Sequence, residues 1–188
     1  MNTIHRYPIT YWFSILSMFI AGSVMAETPV DIEFEADVVT GKEWIRAKAN
    51  CHASKRQVYA VFNAIIDYPD LHDWIQNTEE VSGDAKDQEF LIEFDLPWPV
   101  GKQWSRVRVQ RDQSIISWRQ IDGSLNKNTG SITIDEHDDQ AHVDYRAILD
   151  LGYPDVLTRG YKEQFVTEFL RAIYERLNDD KQIAVNNN

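Results

Sequence analysis

The sequence has one cysteine, eight glycines and few bases: 19 Lys and Arg stand against 30 Asp and Glu in 188 residues. A lone Cys51 excludes an internal disulfide and any multi-cysteine zinc site. It ends an apolar alternation and reads as a small core residue. The scarcity of glycine leaves no phosphate-cradling loop, and no zinc spacing is present, so no cofactor and no metal are expected. A formal net charge of −11 argues against nucleic acid as a partner and against docking on anionic lipid by charge. Long apolar runs are absent apart from Tyr11 to Gly22, which falls short of the ~20 residues of a spanning helix.

That run follows Arg6 and precedes Val24, Met25 and Ala26, a spacing that suits a secretory signal over residues 1–26, with cleavage near Ala26. The first mature position would be Glu27 rather than the cysteine of a lipid-anchored protein. The expectation is a periplasmic or secreted chain, with one domain over 27–178 and a flexible polar tail over 179–188.

Strict alternation from Val30 to Val38 and from Trp44 to Cys51 around Thr40-Gly41 predicts an opening hairpin. Ser54 is a plausible N-cap for a helix burying Val58, Val61, Phe62, Ile65 and Ile66, ended by Asp67-Tyr68-Pro69. A short helical turn through Leu71 to Trp74 follows. Further alternations predict strands over Glu89 to Leu96, Trp104 to Arg111, Ile116 to Gln120, from Ile132 and Ile134, and over Val143 to Leu151. Pro97-Trp98-Pro99 separates the first two, and a loop is expected over Asp122 to Gly130. Glu89 and Glu93 should face Arg106 and Arg108 across one hairpin.

Asp155 to Leu177 then reads as a long helix with Pro154 near its start. Tyr161, Phe165, Val166, Phe169, Leu170, Ile173, Tyr174 and Leu177 fall on one arc, about twice the ~100° of an ordinary surface helix. A helix so apolar needs a surface that wraps around it, and the preceding strands can supply a curved sheet.

The order hairpin, short helices, antiparallel strands and long last helix resembles the START / polyketide-cyclase superfamily. Three stretches carry the resemblance: Val58-Tyr59-Ala60-Val61-Phe62 with Asp67 and Trp74, Leu96-Pro97-Trp98-Pro99-Val100, and Asp150-Leu151-Gly152-Tyr153-Pro154. It implies an α+β helix-grip fold, a curved antiparallel sheet around the C-terminal helix, and a hydrophobic small molecule such as a lipid, sterol, isoprenoid or polyketide in the cavity between them. START domains commonly carry an Arg-Asp pair after the proline turn. Here the positions read Gln103-Trp104, so no arginine contact carries over.

On this reading Phe90, Phe94, Val107, Trp118, Tyr145 and Leu149 face Phe165 and Phe169, with Ser105, Gln120 and the Tyr145 hydroxyl as placed polar groups. Trp98, at the hairpin tip, is a candidate entrance and point of transient membrane contact. His72 with Asp73, and His52 with Cys51, lack the set that nucleophilic catalysis requires. Asp135-Glu136-His137-Asp138-Asp139 lacks calcium-loop spacing and reads as a solvated turn. A carrier or buffer of a hydrophobic molecule is the leading expectation. An envelope protein-interaction module is the second, and a cyclase-like enzyme with Tyr145, Gln120 or a histidine as proton donor the third.

Overall fold

The computed structural model describes residues 31–36, 43–138 and 140–186. The leader expected over 1–26 and the turn at Thr40-Gly41 lie outside them. Eight strands form one antiparallel sheet: β1 (Asp31–Ala36), β2 (Glu43–Cys51), β3 (Ile75–Asp84), β4 (Asp87–Leu96), β5 (Gly101–Arg111), β6 (Ile115–Gly123), β7 (Lys127–His137) and β8 (Gln140–Asp150). Their order across the sheet is β1-β2-β8-β7-β6-β5-β4-β3. From β3 onward every neighbour is a hairpin partner, and among the described residues only the β2 to β8 pairing joins distant parts of the chain.

Two helices cover the inner face, α1 (Lys55–Asn63) and α2 (Asp155–Asn186). Alternation sends Ile45, Ala47 and Ala49 of β2, Phe90, Ile92 and Phe94 of β4, and Val143, Tyr145 and Ala147 of β8 inward. Against them α2 buries Val166, Phe169, Leu170, Ile173 and Leu177, with Tyr161, Phe165 and Tyr174 half-buried. This is the helix-grip arrangement, a curved sheet around a long last helix.

Ser54 caps α1 through a reciprocal box. Its hydroxyl accepts from the Gln57 amide, while its own amide donates to Gln57 Oε1 at 3.1 Å. The helix stops at Asn63, short of the Asp67-Tyr68-Pro69 end that the spacing predicts. Ile65 and Ile66 fall instead in a 3-10 helix, Ile65–Asp70, which contains Pro69. The early stop is satisfied locally, because the Tyr68 hydroxyl donates to the Phe62 carbonyl at 2.6 Å, one of the acceptors a helix end leaves without a partner.

Two further differences have physical causes, and α2 also runs longer than the spacing predicts. Strand β3 has no counterpart in the sequence reading: register shifts after Ile75 and after Glu80 break its alternation, so that only Ile75 and Thr78 are buried. The loop expected over Asp122 to Gly130 shrinks to Ser124, Leu125 and Asn126, because β6 runs to Gly123 and β7 already starts at Lys127. The polar Asn128 is drawn inward as part of a buried hydrogen-bonded group. Finally, the backbone of α2 continues through Asn186, beyond the last apolar position at Leu177.

On the outer face of the β4–β5 hairpin Arg106 pairs with Glu89 at 2.5 Å. Among the described residues no helix is long and apolar enough to cross a membrane.

Candidate functional site

Between the sheet and α2 lies a partly open cavity of about 100 Å³. Its walls come from four directions. Strands β4 and β5 supply Ile92, Phe94, Leu96, Val107 and Val109, and the tip between them Pro97 and Val100. Ile116, Trp118, Ile132, Tyr145, Ala147 and Leu149 come from β6, β7 and β8, while Ile65, Tyr68, Trp74 and Ile75 close the side next to the 3-10 helix. The roof is α2, through Tyr161, Lys162, Phe165 and Phe169, with Leu125, Asn128 and Leu151 at the loop end.

Seven of the ten residues expected to line a cavity do so: Phe94, Val107, Trp118, Tyr145, Leu149, Phe165 and Phe169. Phe165 and Phe169 stack at 6.1 Å, and Tyr68 meets Phe169 edge-on at 4.9 Å, so the roof is a run of rings that hold one another in place.

Phe90, Ser105 and Gln120 do not line it. Phe90 lies on the same face as Phe94 but nearer the β3–β4 turn, where Arg111 covers its ring and is itself held by Asn63 at the end of α1. Ser105 is fully buried in a polar cluster: its hydroxyl donates to Gln120 Oε1 at 3.1 Å and accepts from Asn128 Nδ2 at 3.4 Å. Trp118 Nε1 donates to Asn128 Oδ1 at 2.8 Å, and Gln120 Nε2 to the Leu125 carbonyl at 2.7 Å. The cluster thus consists of two amides, a hydroxyl and an indole. None of these titrates near neutrality, so it braces the wall and offers no acid or base. Gln120 borders a second, polar depression of about 320 Å³ between β6 and β7, larger than the cavity but open to solvent.

Two buried tyrosines, Tyr68 and Tyr145, line the cavity. Burial pushes the pKa of both above the ordinary tyrosine value, so both stay protonated. Tyr68 donates its hydrogen bond to the Phe62 carbonyl, whereas no hydrogen bond of the Tyr145 hydroxyl is seen among the described residues, which leaves it a hydrogen-bond donor without a protein acceptor there.

His72 is buried, and it sits behind Phe165, their rings 4.5 Å apart, off the cavity wall. Its Nδ1 accepts from the Trp74 amide at 3.1 Å, and its Nε2 lies 3.5 Å from Glu168. Among the described residues no group of three or more His, Cys, Asp or Glu side chains could hold a metal.

The sequence reading missed Tyr68, Trp74 and above all Lys162, which is 2% exposed with its ammonium 2.5 Å from Asp155 Oδ1. Helical spacing from Phe165 and Phe169 places Lys162 on the apolar stripe, a signal available without the structure.

At the loop end the β4–β5 tip is tied to α2 and the turn before it. The Tyr161 hydroxyl donates to the Trp98 carbonyl at 3.0 Å and the Tyr153 hydroxyl to the Pro99 carbonyl at 2.9 Å. Around these ties the Trp98, Val156 and Leu157 side chains are 87%, 86% and 59% exposed. They form an apolar rim where Pro97, Val100 and Tyr161 reach the cavity.

No family model and no curated protein matches the sequence. Solved structures do resemble the fold. A STAR-related lipid transfer protein of Xanthomonas axonopodis superposes with a TM-score of 0.67 at 13% identity, over 79% of this chain and 93% of that one. Human STARD10 gives 0.66 at 11%, over 85% and 74%. The Zhui aromatase/cyclase of Streptomyces sp. R1128 gives 0.56 at 14%, over 70% and 92%. The chain therefore has the fold of START domains and of polyketide aromatase/cyclases.

Proposed function

We propose that this protein binds one hydrophobic small molecule in the cavity under α2 and carries or buffers it, with the β4–β5 tip as the entrance. The observation that carries the reading is the cavity itself, mostly apolar and roofed by stacked Phe165 and Phe169. A few placed polar groups in an apolar enclosure are the usual makeup of a small-molecule site. The lipid transfer proteins among the structures of like fold add support by analogy. A volume of about 100 Å³ is below the ~300–1,000 Å³ of a drug-sized site, so a larger ligand must displace part of the lining.

The most movable lining is at the loop end, where the tip is held to α2 and to the turn before it by one tyrosine hydroxyl each rather than by strand pairing. Trp98, Val156 and Leu157 around it form the face that would meet a bilayer during exchange, letting an apolar ligand pass without crossing water. Export belongs to the same proposal, on the apolar run ending near Ala26.

Native mass spectrometry of the protein purified from a periplasm tests the reading. The expected result is an adduct near one per chain that Phe169→Trp, filling the cavity, abolishes. A bare mass that persists after incubation with membrane lipids rejects it.

A further inference from the structure

Resting on that reading, one feature of the cavity narrows its ligand. Lysine is among the residues least often buried, because its ammonium loses three hydrogen bonds to water on leaving the surface. Lys162 is nevertheless 2% exposed and, among the described residues, the one charged residue in the lining of a mostly apolar cavity. It has one acceptor among the described residues, Asp155 Oδ1 at 2.5 Å, for three donors. Asp155 opens α2 and its side chain is 31% exposed, so the pair straddles the boundary, the carboxylate partly in water and the lysine side chain buried beside the cavity it helps to line. Phe165 and Phe169 follow Lys162 by three and seven residues on the same helix face, a run of roughly 10 Å at 1.5 Å per residue. A neutral apolar ligand in that run leaves the remaining donors dry. One that ends in an acceptor satisfies them.

We propose that Lys162 is the head-group contact of this cavity and selects amphiphilic carboxylates, chain or ring acids whose apolar body lies along Phe165 and Phe169. The Asp155 contact shows the chemistry at work: Lys162 already holds a carboxylate. A ligand carboxylate replaces like with like, and the displaced Asp155, already partly exposed, regains water as Lys162 cannot. Salt-bridge removal then acts in opposite directions at the two residues. Loss of Lys162 weakens acids alone, and loss of the Asp155 charge removes a competitor and strengthens them.

The test is calorimetric titration of the full mature protein with dodecanoate and with dodecanol, the same chain with and without the charge, both below their aggregation concentrations. Wild type should bind dodecanoate about tenfold more tightly than dodecanol, the scale of one charge-assisted hydrogen bond. Lys162→Met should erase that preference while leaving dodecanol within about twofold, and Asp155→Asn should tighten dodecanoate. Equal binding of the two probes by wild type, or binding of dodecanol alone, overturns the carboxylate inference and leaves the cavity reading standing. Binding of neither overturns both. Should Lys162→Met fail to fold, Asp155→Asn decides, since unchanged or weaker dodecanoate binding rules the exchange out.

Discussion

His72 illustrates how one side chain can tie stability to pH. Burial against Phe165 lowers its pKa below the ordinary 6.5, and the nearby carboxylates of Glu168 and Asp73 only partly oppose the shift. The unfolded chain therefore takes up the proton first. Stability is full above about 6.5, falls as the pH drops through that value, and levels off below the folded-state pKa. Urea denaturation should show a midpoint that declines from pH 7 to pH 5. His72→Asn, which keeps an acceptor for the Trp74 amide, should flatten the decline relative to wild type. Parallel declines in the two proteins exclude His72 as the cause. At this scale the sequence was a partial guide. The ring-bearing lining residues Phe94, Trp118, Tyr145, Phe165 and Phe169 announce themselves by alternation or helical spacing. Tyr68 does not, because it projects from a 3-10 turn that has no period to read. Lys162 was legible in position but not in meaning, since a lysine within an amphipathic helix ordinarily extends to water.

Among the elements, the β6–β7 pair shows how a wall is shaped by what one strand omits. Gly130 lies opposite Trp118 in the ladder and next to Ala147, and the indole rests over the glycine where a Cβ would stand. An added methyl meets Trp118 Cζ2 at 2.5 Å and the Arg146 carbonyl, so backbone and ring must both give. Gly130→Ala should cost about 1–3 kcal/mol in chemical denaturation, the usual penalty for overpacking. It should also change the near-ultraviolet circular dichroism of the tryptophans as Trp118 leaves its bond to Asn128. An unchanged spectrum with native stability refutes the account. Strands β2, β4, β5 and β8 could be read directly because each keeps one wet and one dry face. Strand β3 escaped because two register shifts scramble its period, and the start of β7 because its inward residue is Asn128 rather than an aliphatic one.

For the whole molecule, charge and apolar surface point the same way. A net charge of −11 gives no attraction to anionic lipid, so the contact with a bilayer proposed above rests on the rim of Trp98, Val156 and Leu157. Transfer of a fluorescent fatty acid between phosphatidylcholine vesicles should slow several-fold in the Trp98→Ser, Leu157→Ser double variant, with stability unchanged because both side chains are exposed. Transfer at the wild-type rate removes the rim from the mechanism. The sheet order has one more effect, on how the protein comes into being. β2 has β8 as its inner neighbour, Ile45 against Ala147, so the opening hairpin must wait through most of synthesis for the strand that seats it. α2 comes later still. A ribosome-bound chain thus carries an open apolar trough until its final segment emerges, and a chain cut before α2 would be a client for chaperones rather than a weaker binder.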